Sequence, residues 1–229
     1  MASIIITGAN GNLGITVVRR LLKDGYHIRA VSGHLGAEKL PRDGRLEVSE
    51  VDLFIEEQAK NYVEQSLIKY PDLQAAVLLV GGYMGGNYQE VKKPDIDKMI
   101  NLNFYTAFNI VKPLLTHFLN RADGGQFVFI GSRAGLNAAE GRDSFAYSMS
   151  KSLIFRMAEF INAEGKSKKV TATVLVPSTI DTETNRRTMP GSDYSKWVPA
   201  ENIADAISFL LSETGQMLRD SVIKIYNRS

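Results

Sequence analysis

The chain has 229 residues, with 27 basic and 25 acidic side chains, a net charge of +2 and no cysteine. So balanced a charge gives no electrostatic case for nucleic acid or an anionic membrane as a partner, and the missing thiols exclude disulfides, cysteine nucleophiles and cysteine metal sites. The three histidines, His27, His34 and His117, are scattered, so no metal site is expected, and the length suits one α/β domain with a substantial core. Three isoleucines before Thr7 are too few for a secretory signal, and runs such as Ala75–Val80 are only strand length. Neither a signal peptide nor a membrane helix is therefore expected, and a reducing, cytoplasmic location fits.

Ile4–Ile6 reads as a buried β-branched strand. Thr7-Gly8-Ala9-Asn10-Gly11-Asn12-Leu13-Gly14 follows it, and an amphipathic helix then runs to Gly25. Between a strand and a helix such glycines have separate uses. Gly8 allows the tight turn, Gly11 lets backbone approach a pyrophosphate, and Gly14 lets helix pack on strand. The second strand is Tyr26–Ser32. An acid at its end would hold the ribose 2′-hydroxyl of NAD, but here stands Ser32-Gly33-His34. Ser32 or His34 could bond a 2′-phosphate, which leans the reading slightly to NADP over NAD.

A third strand, Leu46–Val51, ends at Asp52, and Phe54–Tyr70 has a helical pattern. Leu73–Val80 is a fourth strand, closing on Gly81-Gly82-Tyr83-Met84-Gly85-Gly86, where glycine pairs suggest backbone close to a ligand. Pro94–Leu119 is a long helix distorted near Asn103 and Pro113. Gly125–Gly131 is a fifth strand ending in Ser132. The sixth is Val170–Val176, stopping at Pro177. Glu183–Pro199 is irregular, a helix opens at Pro199 and ends near Leu211, and Ser221–Tyr226 is a last strand. Alternating strands and helices with short connections predict a single doubly wound parallel sheet with helices on both faces and a ligand crevice at the strands' carboxyl ends.

Between Ser132 and the sixth strand, Ser144 is placed to cap a helix that carries Tyr147 and Lys151 one turn apart on one face and runs to about Ala163. A free phenol, with a pKa of roughly 10, transfers protons poorly at neutral pH. A nearby ammonium favours the phenolate and lowers that value, so the pair could serve an alcohol or carbonyl oxygen. Tyr88 and Lys92 repeat the spacing, but in a segment that reads as a solvated loop or helix start. Taken alone, Ser132 reads as a hydroxyl capping its own backbone and Asn103 as a helix-kink residue.

In this order, Thr7-Gly8…Gly14, Asn103, Ser132 and Tyr147…Lys151 resemble the short-chain dehydrogenase/reductase family over nearly the whole chain. The resemblance implies a seven-stranded sheet, a nicotinamide cofactor, a small-molecule substrate and a homodimer or homotetramer. It implies Tyr147 as general acid/base, with Lys151 lowering its pKa and holding the nicotinamide ribose. Ser132 would bond the reacting oxygen and Asn103 would hold a water in a proton relay. It further implies Asp52 and Leu53 at the adenine, Val80, Gly81 and Gly82 along the cofactor, and Pro177, Ser178, Ile180 and Thr182 at the carboxamide. Two residues depart from the usual pattern, Asn12 and Ser178, each standing where the family more often has glycine. Gly81–Asn87, and Asp181–Arg186 with Met189, Pro190, Asp193, Ser195, Trp197 and Pro199, resemble the dihydropteridine reductase branch, although that branch has alanine in place of Ser132. The retained serine argues for carbonyl or alcohol chemistry. Glu183–Pro199 is the expected substrate lid, with Tyr83, Met84, Met189, Tyr194 and Trp197 as candidate pocket residues. A non-catalytic dinucleotide sensor is the reading of another class, and it would need none of the four catalytic positions.

Overall fold

The computed structural model describes residues 2–33, 37–218 and 221–228; His34 lies outside them. In chain order the elements are β1 (Ser3–Thr7), α1 (Asn12–Lys23), β2 (His27–Ser32), β3 (Leu46–Glu50), α2 (Glu56–Lys69), β4 (Leu73–Leu78), α3 (Lys93–Ile100), α4 (Thr106–Asn120) and β5 (Gly125–Ile130). Then come α5 (Arg133–Leu136), α6 (Ala138–Gly141), α7 (Phe145–Gly165), β6 (Val170–Pro177), β7 (Ile180–Asp181), α8 (Glu183–Thr188), β8 (Val198–Pro199), α9 (Ala200–Leu211) and β9 (Val222–Ile225). Seven of the strands form one all-parallel sheet in the order β3-β2-β1-β4-β5-β6-β9. It is a single Rossmann-type domain.

Side-chain alternation sends the isoleucines of β1 to opposite layers. Ile5 packs with residues of α2, α4 and α7, while Ile4 and Ile6 pack with α1 and α9. A strand buried on both faces can therefore be apolar at every position, as a parallel sheet between helices requires. Full burial of each such side chain is worth about 1.5–3 kcal/mol. The strand order reverses between β1 and β4, which places the crevice of a doubly wound sheet at their carboxyl ends.

The long helix predicted over Pro94–Leu119 is divided. A π turn, Asn101–Tyr105, separates α3 from α4, so the distortion near Asn103 is present. Pro113 lies inside α4 without ending it. The stretch read as irregular after Asp181 contains α8, because its ends are well satisfied. Thr182 accepts a hydrogen bond from Asn185 N at 3.2 Å, Glu183 sits in the first turn, and Arg186 and Arg187 sit in the last. Ser144 precedes α7 as expected, but its side chain makes no capping bond. Phe145 N donates instead to Gly86 O at 2.8 Å, tying the start of α7 to the loop after β4. Among the described residues no helix is long and apolar enough to cross a membrane.

Candidate active site

At the end of β1 the glycine-rich turn is held by close backbone contacts. Gly8 has φ +66, and a Cβ there would stand 3.0 Å from Val80 N. A Cβ on Gly14 would come within 2.1 Å of Gly8 O, so only glycine fits where α1 packs on the turn. Gly11 is less constrained, its nearest neighbour being Gly8 O at 3.2 Å. It is the N-cap of α1, and the first turn has neither a side-chain cap nor an acidic residue. The open amides of Asn12 and Leu13 and the positive helix end therefore suit an anion. Asn10 Oδ1 accepts from Gly33 N at 3.3 Å and joins this turn to the end of β2, where Ser32 is buried. At the end of β3, the Asp52 carboxylate accepts from Phe54 N at 3.0 Å, and Asn109 Nδ2 donates to Leu53 O at 2.9 Å.

The loop after β4 meets the π turn. Asn103 is 1% exposed and holds Gly82 from both sides. Its Oδ1 accepts from Gly82 N at 2.8 Å, and its Nδ2 donates to Gly82 O at 3.1 Å and to Ser150 Oγ at 2.9 Å. Ser150 Oγ in turn donates to Tyr147 O at 2.7 Å. A Cβ on Gly81 would lie 2.8 Å from Asn103 Oδ1 and 3.2 Å from Lys151 Nζ. Gly81, Asn103 and Lys151 are thus adjacent.

Ser132 ends the β5 segment and caps α5, accepting from Gly135 N at 3.0 Å. Its hydroxyl is close enough to Tyr147 to favour the ionised phenol. The Tyr83 ring stands edge-on to the Tyr147 ring with centroids 5.0 Å apart, yet Tyr83 is 69% exposed. Burial pushes the Tyr147 phenol above its ordinary pKa; the Ser132 hydroxyl pulls it down and the neighbouring Tyr83 pushes it up. The expectation that Lys151 acts directly to lower it is not met. Lys151 Nζ donates to Ile130 O at 2.9 Å instead, and burial brings the ammonium itself down to about 8. The other Tyr–Lys pair is unlike this one. Tyr88 is exposed and packs its ring on Phe145, while Lys92 N donates to the Asp95 carboxylate at 2.9 Å at the start of α3.

Beyond β6, Ser178 replaces glycine without breaking the strand. Its N–H donates to Ile225 O at 3.1 Å and its Oγ to Tyr226 O at 2.8 Å, so Pro177 and Ser178 stay fastened to the β9 edge. Ile180 pairs with Val198, and Thr182 caps α8. Asn12 Nδ2 donates to Thr184 Oγ1 at 2.8 Å. Trp197 is buried, and Tyr194 packs on it with its hydroxyl bonded within the same segment, so both serve that segment's own structure. Sequence reasoning missed Ser150 as the link between Asn103 and the Tyr147 turn. Its place one turn after Tyr147 was the available signal. It also missed the reach of Asn12, which no local pattern encodes.

A parallel sheet reversing at β1/β4, an uncapped glycine turn at that point and a Ser–Tyr–Lys cluster with buried Ser132 and Lys151 define a dinucleotide-type oxidoreductase scaffold. Residues 2–192 match the short chain dehydrogenase family, and the chain belongs to that family. Among curated relatives it is 24% identical over 236 residues to a 3-oxoacyl-[acyl-carrier-protein] reductase of Aggregatibacter actinomycetemcomitans, covering 97% of each chain. It is 26% identical over 208 residues to a dihydropteridine reductase of Dictyostelium discoideum, covering 90% of this chain and 85% of the relative. Among solved structures, ElxO with NADP bound superposes with a TM-score of 0.88 at 23% identity, covering 98% of this chain and 96% of that one.

Proposed function

We propose that this enzyme moves a hydride between a nicotinamide dinucleotide and a carbonyl or alcohol carbon of a small substrate, with Tyr147 as general acid/base. The observation that carries the reading is the cluster in which Ser132 and Lys151 are buried, the Ser132 hydroxyl is close enough to the half-buried Tyr147 phenol to shift its pKa, and Lys151 lies a turn away beside Gly81. The residues fit a dinucleotide. Gly8 and Gly14 leave no room for side chains, the α1 amides are uncapped, and Gly81 brings bare backbone to Lys151. Thr7, Gly8, Asn10, Gly11, Asn12, Leu13 and Gly14 would hold the pyrophosphate side. Ser32, Asp52 and Leu53 would hold the adenosine side, with Val80, Gly81 and Gly82 along the cofactor. Pro177, Ser178, Ile180 and Thr182 would hold the carboxamide side. The lack of an acid at Ser32 supports a slight preference for NADP over NAD.

When bound, the nicotinamide supplies or accepts the hydride. The chain's own residues manage the proton and the charge. Burial keeps the Tyr147 proton on its oxygen at neutral pH, so in reduction it donates that proton to the substrate oxygen. Ser132 donates to the same developing oxyanion. Lys151, brought down to about 8, can replenish or remove a proton near neutrality. Two or four copies per assembly is a proposal from family resemblance alone.

A second reading, reduction of a quinonoid dihydropterin, is favoured by the Gly81–Asn87 and Asp181–Pro199 segments and by the Dictyostelium relative. Ser132→Ala separates the two. Losing one oxyanion donor costs on the order of 10²–10³ in turnover. We expect carbonyl or alcohol turnover to collapse in a panel of aldehydes, ketones, secondary alcohols and dihydropterin run with both nicotinamides. Pterin reduction that survives the substitution, with no other substrate turned over, would establish the second reading. Cofactor binding with no turnover of any substrate would favour a dinucleotide sensor.

A further inference from the structure

The segment Thr182–Trp197 leaves the sheet and returns to it as a loop with a closed neck. The neck is the β7–β8 pair, Ile180 with Val198 and Asp181 with Pro199, reinforced by Val198 N donating to Thr179 O at 2.8 Å. Asn227 Nδ2 secures the returning arm, donating to Ser195 O at 3.2 Å and Trp197 O at 2.7 Å. Within the loop, the Arg186 guanidinium bonds both Asp181 oxygens at 2.6 and 2.7 Å and lies over the Tyr194 ring, and Asn185 Nδ2 donates to Ile180 O at 2.8 Å. The excursion is therefore a compact unit built on its own contacts. Its helix α8 has no buried residue, so packing does not anchor it to the sheet.

One side-chain bond crosses from α8 to the opposite wall of the crevice: Asn12 Nδ2 to Thr184 Oγ1, at 2.8 Å and 172 positions apart. Asn12 is the first residue of α1, at the uncapped end that the proposed function gives to the pyrophosphate. A glycine at this position has no side chain to reach across. Asn12 therefore stands where a bond to α8 closes the crevice over whatever lies on the α1 amides.

We propose that Asn12 is the catch of this lid: its amide, bonded to the Thr184 hydroxyl, holds α8 down and slows dinucleotide release. The retention half rests on the proposed dinucleotide site; the catch itself does not. Asn12 acts as a positioning residue, through α8.

The test uses the full chain as wild type, Asn12→Gly, Thr184→Val, the double variant and Thr184→Ser, which keeps the hydroxyl. Trp197 is the only tryptophan and ends the returning arm beside the neck, so its fluorescence is a second readout of the segment. Hydrogen exchange at the α8 amides is measured first without cofactor. Asn12→Gly and Thr184→Val should each speed exchange by about 2- to 10-fold, the range one neutral hydrogen bond commands. NADPH and NADH are then displaced in stopped flow. The same two variants should speed dissociation by a similar factor, the double variant should be no faster than either single one, and Thr184→Ser should behave as wild type. A shared bond predicts this non-additivity, whereas independent structural damage predicts addition. Unchanged α8 exchange in both single variants, or additive effects in the double variant, would overturn the catch. Faster exchange with unchanged dissociation would overturn retention. A wild type that binds neither nicotinamide would refute the dinucleotide site and retention with it, while exchange would still decide the catch.

Discussion

Replacing Lys151 by methionine should abolish turnover without loss of stability at neutral pH. Lys151 is wholly buried, and burial brings it from 10.5 to about 8. At 1.36 kcal/mol for each pH unit, keeping it charged costs the fold about 3 kcal/mol. Opposing this is its bond to Ile130 O at 2.9 Å; leaving a carbonyl without its donor costs about 1–3 kcal/mol. Methionine has a similar length and no charge, so at pH 7 the variant should equal or exceed wild type by up to about 2 kcal/mol. The pH dependence is sharper. Between about 8 and 10.5 the unfolded lysine binds more protons than the folded one, so stability rises with pH through that window and the charge cost disappears above it. Below about 8 both states are charged and the full cost remains. Urea unfolding of both proteins from pH 7 to 10.5, with the curves subtracted, removes every other titrating group. Wild type should gain about 3 kcal/mol on the variant across that range. A flat difference would refute the claim that burial strains this ammonium.

Tyr147→Phe should fold and bind dinucleotide but lose most turnover, whereas Tyr88→Phe should leave turnover nearly unchanged; steady-state rates on the two variants decide which pair is the working one. Gly14→Ala should destabilise the turn severely, because its Cβ would meet backbone at 2.1 Å, while Gly11→Ala, with 3.2 Å to its nearest neighbour, should cost far less; thermal melts and dinucleotide titrations compare them. Ser32→Asp should move cofactor preference towards NADH by setting a charge beside the 2′-phosphate position; tighter wild-type binding of NADH than NADPH would end the NADP assignment.

The fold was legible because its signals are local and repeated. β-branched runs such as Ile4–Ile6 end at glycines, and β1, β3, β4 and β6 are set off by helices or turns that the sequence pattern marks. The glycine turn was legible for a related reason: Gly8 and Gly14 meet main chain, and main-chain contact recurs wherever strand, turn and helix recur. The small elements α5, α6 and α8 were less visible. α5 and α6 have four residues each, and all three take their stability from caps such as Ser132, Asn137 and Thr182, not from an apolar stripe. Spacing alone could not give the net direction of the Tyr147 shift, which burial sets upward. Spacing put Lys151 on the same face, but burial and the Ile130 carbonyl, both set by tertiary packing, decide where each proton resides.

Asn103 shows how a residue that reads as a kink can also be part of a site. Its amide has one oxygen and two N–H groups. The oxygen takes Gly82 N, and the two protons go to Gly82 O and Ser150 Oγ. The side chain thus spends both donors on fastening the loop after β4 to the turn that carries Tyr147. It fastens that loop from within the π turn. Widening a helix from i→i+4 to i→i+5 bonding disturbs the carbonyl ladder locally, which is why such turns recur at functional sites. Asn101–Tyr105 is that turn, and Gly81, beside both Asn103 Oδ1 and Lys151 Nζ, brings the lysine next to it. Through these bonds the Asn103 amide keeps that turn and the Tyr147 helix in register.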